Sequence, residues 1–437
     1  MKISTYTYVF KSSKYGALIY NSITNAFAKL NEPLFDLLLQ AKNKPVILKE
    51  LDSETLLMLK KAKIIVEKHD ELNQFYQKRL LYYLTAFSSD SLSLTIAPTT
   101  ACNFACPYCY EKGIDYRTMN DIVINDLIEF IKKHDKIQGL GITWYGGEPL
   151  LAIDKIEKIL IEIKKLNIKI YNNSIVTNGF YLNSNNQDFI IKNSFNSMQI
   201  TLDGATAQAH NNRRFLKTGG ETWNTILLNL DMFFKKFHNI RVDIRCNIDN
   251  KNQEEFLKLK VELNKRWNNN PNVNIYPGIL TNNENDNNST TCNYMTGKDV
   301  SKFHLNLGIK EKTSPYFNFE YSSCGATCIN SYVVGPEGEL YKCWNDIGHN
   351  EMIIGYLNKD KNIGNNKVLF QYLGGPTLMD EKKCKDCVLF FVCSGGCIWM
   401  RIKNKMEGTK YDLCNYRKNN INEFLELHYE KKIKETV

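Results

Sequence analysis

Six short stretches of β-type sequence alternate with helical stretches between residues 92 and 277, and this alternation limits the fold more than any other feature. The strand candidates are 92–97, 141–145, 170–176, 198–202, 242–248 and 273–277. Helical periodicity fills the gaps at 121–134, 153–166, 189–193, 223–236 and 254–267. Strands separated by helices pair in parallel through crossovers. The expected fold is therefore α/β, a parallel sheet curved as a partial barrel of six strand–helix units. In such sheets ligands sit at the C-terminal ends of the strands. The loops there hold three cysteines between 102 and 109, then Gly146-Gly147-Glu148-Pro149, Thr177-Asn178-Gly179 and Asp203-Gly204. These segments are expected to converge in space.

The flanks differ. A length of 437 residues suggests two or three domains. Residues 1–70 read as a small unit. Stretches 5–10 and 16–20 alternate like paired strands, 21–30 and 34–41 have helical spacing, Asp52 and Ser53 can cap a helix through Lys61, and Ile64-Ile65-Val66 returns as a strand. That order fits a winged-helix-like unit. Residues 71–91 read as a helical linker, 92–310 as the barrel, 311–420 as a cysteine-rich domain and 421–437 as a helical tail. The asparagine-rich stretch 268–293 reads as an exposed loop. Beyond residue 310 there is too little periodic apolar sequence for a self-sufficient core, so bound metal is expected to supply stability there. No run of about 18 apolar residues is present, so no membrane span is expected. The N-terminus lacks a signal-peptide pattern, and the expected home is the cytoplasm. The net charge of +9 is spread along the chain, which reads as a solvated surface without a nucleic-acid partner.

Thirteen cysteines in a chain without an export signal point to metal ligation rather than disulfides. Cys102-x3-Cys106-x2-Cys109 supplies three thiolates from one loop. A [4Fe–4S] cube takes four cysteines, so three would leave one iron open to a cofactor or substrate. The other reading of the triplet is a zinc site completed by a distant residue. With Tyr108 before the last cysteine and the Gly146-Gly147-Glu148-Pro149 run after the second strand, the segment resembles the signature of the radical S-adenosylmethionine (SAM) superfamily. The resemblance implies that the open iron binds the amino and carboxylate groups of SAM. It also implies a glycine-rich backbone close to the ligand, with Glu148 as partner of its ammonium. Thr201-Leu202-Asp203-Gly204, followed by His210-x2-Arg213-Arg214, resembles the family's fourth-strand segment. Tyr108, Gly146, Gly147, Glu148, Thr177, Thr201, Asp203, Arg214 and Asn247 are thus the cofactor-binding candidates, with Arg245 a weaker one.

Cys328-x9-Gly338-x4-Cys343, Cys384-x2-Cys387-x5-Cys393-x3-Cys397 and Cys414 resemble the SPASM domain, the cysteine-rich extension of radical SAM enzymes that mature peptides and proteins. Cys324 adds an eighth thiolate. By resemblance Cys324, Cys328, Cys343 and Cys397 hold a nearer auxiliary cluster, and Cys384, Cys387, Cys393 and Cys414 an outer one. Cys246 and Cys292 read as non-ligands. Cysteine tetrads alone equally fit a pair of zinc staples. With iron, the cofactors are SAM and three [4Fe–4S] clusters.

The resemblance implies reductive cleavage of SAM to methionine and a 5′-deoxyadenosyl radical, which removes hydrogen from an unactivated carbon. The expected substrate is a ribosomal precursor peptide with a leader, the product an intramolecular thioether or carbon–carbon crosslink, and the electron donor a flavodoxin or ferredoxin. Residues 1–70 would recognise the leader by strand addition; their other reading is a fold-stabilising or oligomerising extension. Two alternatives remain. One is an enzyme like the anaerobic sulfatase maturases, which oxidises a single residue of a protein. The other is a non-enzymatic iron–sulfur or zinc scaffold. In the sulfatase maturases an Asp after a cysteine of the nearer auxiliary site serves as base. Here Cys343 is followed by Trp344 and Asn345 before Asp346, a departure that resembles the peptide maturases instead.

Overall fold

Antiparallel pairing opens the chain in the computed structural model, which describes residues 1–237, 239–280, 292–311, 316–320, 324–358 and 364–436. Strand β1 (Lys2–Ile3) is followed by β2 (Thr7–Ser12), β3 (Gly16–Asn21) and β4 (Ala26–Lys29), then α1 (Glu32–Ala41), α2 (Ser53–Lys61), β5 (Ile65–Val66) and α3 (Asp70–Ala86). β2, β3 and β4 form a meander, and β1 pairs with β5. The side chains of Asn31 and Asp52 accept from the N–H groups of Leu34 and Thr55, which starts α1 and α2 where capping chemistry predicts. One expectation fails. The helical spacing over 21–30 becomes β4, whose residues pair with Leu18–Asn21. Asn25, with φ of 57°, turns the chain back, and ladder bonds outweigh a helical period only ten residues long.

The strand–helix alternation follows as expected. It runs β6 (Ser91–Ile96), α4 (Asp121–Lys132), β7 (Gly139–Trp144), α5 (Ile153–Lys165), β8 (Ile170–Thr177), α6 (Ser184–Lys192), β9 (Ser197–Thr201), α7 (Ala207–Asn211), α8 (Trp223–Lys236), β10 (Arg241–Ile248), α9 (Glu255–Arg266) and β11 (Val273–Ile279). The six strands pair in parallel in the order β11-β10-β9-β8-β7-β6. Leu94 faces Ile142 and Ile96 faces Trp144 across β6 and β7, all of them buried. Helix α5 buries Ile156, Ile159, Leu160 and Ile163, the stripe that its 3.6-residue period places on one side. Within the asparagine-rich stretch 268–293, β11 takes up the strand candidate 273–277, and 281–291 lie outside the described residues.

Helix α10 (Gly297–Glu311) precedes β12 (Ser331–Val334), β13 (Glu339–Tyr341), β14 (Gly355–Tyr356) and α11 (Asn366–Gly374). The chain ends with α12 (Lys382–Lys385), α13 (Ile398–Met406) and α14 (Ile421–Thr436). β12 adds to the free edge of β6 in parallel, and β13 and β14 continue the sheet antiparallel, giving nine strands. Ala97, Val333, Tyr341, Ile347 and Ile353 seal this extension with a small apolar cluster.

The described chain divides into two compact units. Met1–Ala86, Thr296–Cys324 and Gly375–Val437 form one; Phe87–Met295 and Gly325–Gly374, with the nine-stranded sheet, form the other. In the first unit Phe10, Leu18 and Tyr20 share a core with Phe317, Leu389, Val392 and Leu425. Tyr6 and Ile23 share another with Leu378, Met379, Phe390 and Phe391. The C-terminal cysteine-rich segment thus gains apolar partners from the N-terminal strands, a source of stability besides metal. Among the described residues no helix is long and apolar enough to cross a membrane.

Ile142 is fully buried in β7, whereas Ile122 on α4 is 68% exposed. Ile142→Ala should cost about 2–5 kcal/mol through lost burial and a cavity. Ile122→Ala should stay within about 0.5 kcal/mol. Denaturant midpoints of the two variants check this contrast.

Candidate active site

The site is built where β6 and β7 end. Their ladder continues past both strands: Tyr145 N–H donates to the Ile96 carbonyl at 2.8 Å, Gly147 N–H to Thr99 at 3.1 Å and Glu148 N–H to Ala101 at 2.8 Å. This holds the Thr99–Ala101 backbone, and the cysteine loop that follows it, against the glycine run. A Cβ on Gly146 would collide with the Thr99 carbonyl oxygen, and one on Gly147 with those of Ala101 and Thr100. Gly146 also has φ of 100°. The glycines therefore admit the cysteine loop itself, besides facing the cavity.

That cavity, about 360 Å³, is lined by Cys102, Cys106 and Cys109 and by Tyr108, Gly146, Gly147, Thr177, Thr201, Arg214 and Asn247. It thus gathers the triplet and seven of the nine cofactor candidates from the ends of five strands. Glu148 and Asp203 stand behind the lining. Glu148 is fully buried; its carboxylate accepts from Leu150 N–H at 3.0 Å, Thr177 Oγ1 at 2.7 Å and Asn178 N–H at 2.7 Å. It braces the end of β8. Asp203 accepts from the Tyr108 hydroxyl and, at 2.8 Å, from Asn247 N–H. The same hydroxyl accepts from Arg214 Nη1 at 2.8 Å and Asn247 Nδ2 at 3.2 Å. Tyr108 thereby ties the cysteine loop to β9 and β10. His210 is a brace as well: its Nδ1 accepts from Asp203 N–H at 3.2 Å and its Nε2 meets Thr222 Oγ1 at 3.1 Å.

The cavity suits the groups the sequence implies. Burial pushes the Cys102 thiol up to about 11 and Cys109 to about 12, and raises Cys106 as well. Cys102 and Cys106 are half-buried and Cys109 reaches solvent at the cavity mouth, and thiols raised in this way ionise readily against a cation, which iron provides. The Arg214 guanidinium lines the cavity, and its buried Nε has no acceptor among the described residues. A carboxylate would satisfy it.

Sequence reasoning missed the aromatic side of the cavity. Tyr110 donates to the Tyr145 hydroxyl, both line the cavity, and the Tyr145 ring stacks on Trp344 at 6.0 Å between centroids. Gln199 lines the cavity too, as does Arg245, the weaker of the sequence candidates. The one available signal was position: Tyr145 sits at a strand end directly before the glycine run. Glu111 also lines the cavity. Burial pushes its carboxyl up to about 7, and its Oε1 has no partner among the described residues.

None of the thirteen cysteines is in a disulfide. Of those assigned to the nearer auxiliary cluster, Cys328 and Cys343 belong to the sheet-bearing unit and Cys324 and Cys397 to the other. All four assigned to the outer cluster, Cys384, Cys387, Cys393 and Cys414, belong to the first unit. Their surroundings fit a cluster. Cys387 lies close enough to Cys393 to raise its thiol, behind burial as the main cause. Gly395 N–H donates to Cys393 Sγ at 3.3 Å. A Cβ on Gly396 would meet the Leu413 carbonyl oxygen at 2.6 Å, so the segment carrying Cys414 lies against the Cys393–Cys397 turn. Among the described residues no three His, Cys, Asp or Glu side chains stand tightly enough to hold a single ion. Cys246 is fully buried within β10.

Gly147→Ala should leave far-UV circular dichroism unchanged and displace the cysteine loop. A shift of about 1 Å in reacting geometry costs on the order of 100-fold, so SAM cleavage should fall by that order. Normal cleavage in this variant would show that the contact does not hold the loop.

Comparison with known proteins agrees with this geometry. Residues 96–262 match the Radical SAM superfamily. A cysteine-type anaerobic sulfatase-maturating enzyme of Clostridium perfringens is 25% identical over 382 residues, 78% of this chain and 97% of that protein. A solved structure of native anSMEcpe with bound AdoMet and the Cp18Cys peptide superposes with a TM-score of 0.60 at 24% identity, over 79% of this chain and 98% of that one. Streptococcus suis SuiB, solved with its precursor peptide SuiA, superposes with a TM-score of 0.53 at 16% identity, over 95% and 99%. The two structural likenesses are of fold. The segment from residue 96 to 262 is a radical SAM domain, which works with SAM and a [4Fe–4S] cluster, and the chain is a radical SAM enzyme.

Proposed function

We propose that the enzyme matures a ribosomally made peptide, removing hydrogen from an unactivated carbon of the precursor and closing an intramolecular thioether or carbon–carbon crosslink. The observation behind this reading is the aromatic wall. Trp344, beside Cys343, is 51% exposed and stacks on Tyr145, which lines the cavity. Asp346 is buried and accepts from the Tyr372 hydroxyl at 2.7 Å. An aromatic platform suits a peptide side chain laid across it, while the carboxylate nearest Cys343 in sequence is committed to packing. The fold likeness to SuiB, solved with a precursor peptide, spans nearly the whole chain and supports the same reading.

SAM, cleaved reductively, supplies the carbon-centred oxidant. This chain's residues bind and orient. Arg214 offers its unpaired Nε to a carboxylate, Thr201 and Asn247 offer polar ends, and Tyr110 and Tyr145 exclude water from the reacting carbon. Closing a crosslink removes two hydrogens from the peptide, one as an atom and one as a proton plus an electron. The C-terminal cysteines would hold an iron–sulfur group able to accept that electron, and a flavodoxin or ferredoxin would supply electrons to the group held by Cys102, Cys106 and Cys109.

The leader would add as a strand to an edge of the β2-β3-β4 meander, the winged-helix-like unit of this proposal. Tyr6, Phe10, Leu18 and Tyr20 also belong to cores shared with the C-terminal segment. Deleting residues 1–70 would therefore disturb more than recognition, and substitutions on the free edges are the sounder probe.

A second reading, oxidation of a single protein residue, is favoured by the 25% identity that spans 97% of the Clostridium perfringens enzyme. Mass spectrometry separates the two. Reconstituted enzyme, SAM and dithionite should convert a short precursor peptide encoded beside the gene into a product lighter by two hydrogens, with all its sulfur retained and no reaction with hydrazide. A hydrazide-reactive aldehyde would contradict the crosslink and support the second reading.

A further inference from the structure

Lys78 is a buried lysine in the first unit. It lies on α3, and its side chain is 4% exposed. The ammonium donates to the backbone carbonyls of Glu320, Phe391 and Cys393, each at 3.2 Å, and stands 5.7 Å from the centre of the Phe390 ring. Among the described residues no carboxylate forms an ion pair with it; burial pushes the ammonium down to about 8, and Cys393 and, after it, Glu320 pull the other way. A buried lysine is rare without a negative partner, and neutral carbonyls satisfy its hydrogens without answering its charge. One of those carbonyls belongs to Cys393, a cysteine read here as a ligand of the outer auxiliary cluster. An iron–sulfur cube held by four thiolates is a net anion, and its potential follows the charges and hydrogen bonds around it.

We propose that Lys78 is the counter-charge of the cluster held by Cys384, Cys387, Cys393 and Cys414, and that it raises that cluster's reduction potential. The three carbonyl bonds hold the ammonium in place. Reduction adds an electron to the cluster, so a fixed cation beside it favours the reduced form. The proposal rests on the outer-cluster reading.

The test uses full-length reconstituted protein as wild type, Lys78→Gln and Lys78→Arg, with iron analysis and redox titration followed by electron paramagnetic resonance. Glutamine keeps donors for the carbonyls and loses the charge; arginine keeps both. The Cys384→Ala and Cys414→Ala variants first establish whether that tetrad holds iron. If they lose none, the outer-cluster reading fails and this proposal with it. With iron present there, Lys78→Gln should keep the iron and lower the midpoint potential of that one cluster, while Lys78→Arg restores it. An unchanged potential in Lys78→Gln with full iron overturns the proposal. Equal shifts in Lys78→Gln and Lys78→Arg also overturn it, as does loss of that cluster's iron in Lys78→Gln, which would make Lys78 a structural staple only.

Discussion

The site depends on the backbone ladder that runs past the ends of β6 and β7. Three bonds, from Tyr145, Gly147 and Glu148 to Ile96, Thr99 and Ala101, extend parallel pairing into what would otherwise be two loops. Side chains at positions 146 and 147 would break this contact, so glycine is required at both on steric grounds and at 146 on conformational grounds as well. The cysteine triplet inherits its position from that ladder. Tyr108 then ties the same loop to Asp203, Arg214 and Asn247, and Glu148 clamps Thr177 and Asn178. Rigid elements hold the polar groups before any ligand arrives, which is how a protein contributes to cofactor chemistry.

Much of this was legible in the sequence because it is periodic or spaced. All six barrel strands and their main helices follow from apolar period, and the cysteines from fixed intervals. The failures have physical causes. Residues 21–30 carry Ile23, Phe27 and Leu30 at helical intervals, yet the chain turns at Asn25 and pairs with β3. β12 is too short and too distant in sequence to announce that it joins the edge of β6. Glu148 and Asp203 also brace the site from within, bonded by backbone N–H groups and hydroxyls close to them in the fold, a role that their motifs do not announce. The stack of Tyr145 on Trp344 joins residues about 200 positions apart in chain order, a relation no local pattern encodes.

The first unit teaches a related point. Read along the chain, residues 1–70 look like a separate module and the C-terminal cysteines like a metal-stapled coda. In space Leu18 and Tyr20 pack with Leu389, Val392 and Leu425, and Lys78 reaches the carbonyl of Cys393. A segment poor in periodic apolar sequence borrows its core from the other end of the chain. The recognition role proposed for the N-terminal strands is therefore not separable by deletion from their packing against the cysteine-rich segment.

The central claim is that the Cys102, Cys106 and Cys109 loop holds the cluster that cleaves SAM. Replacing all three by Ala and assaying 5′-deoxyadenosine by chromatography, after reconstitution and reduction with dithionite, tests it most directly. The account predicts no 5′-deoxyadenosine above background, with about four irons fewer per chain and the remaining clusters retained. Undiminished formation of 5′-deoxyadenosine by the triple variant would contradict it.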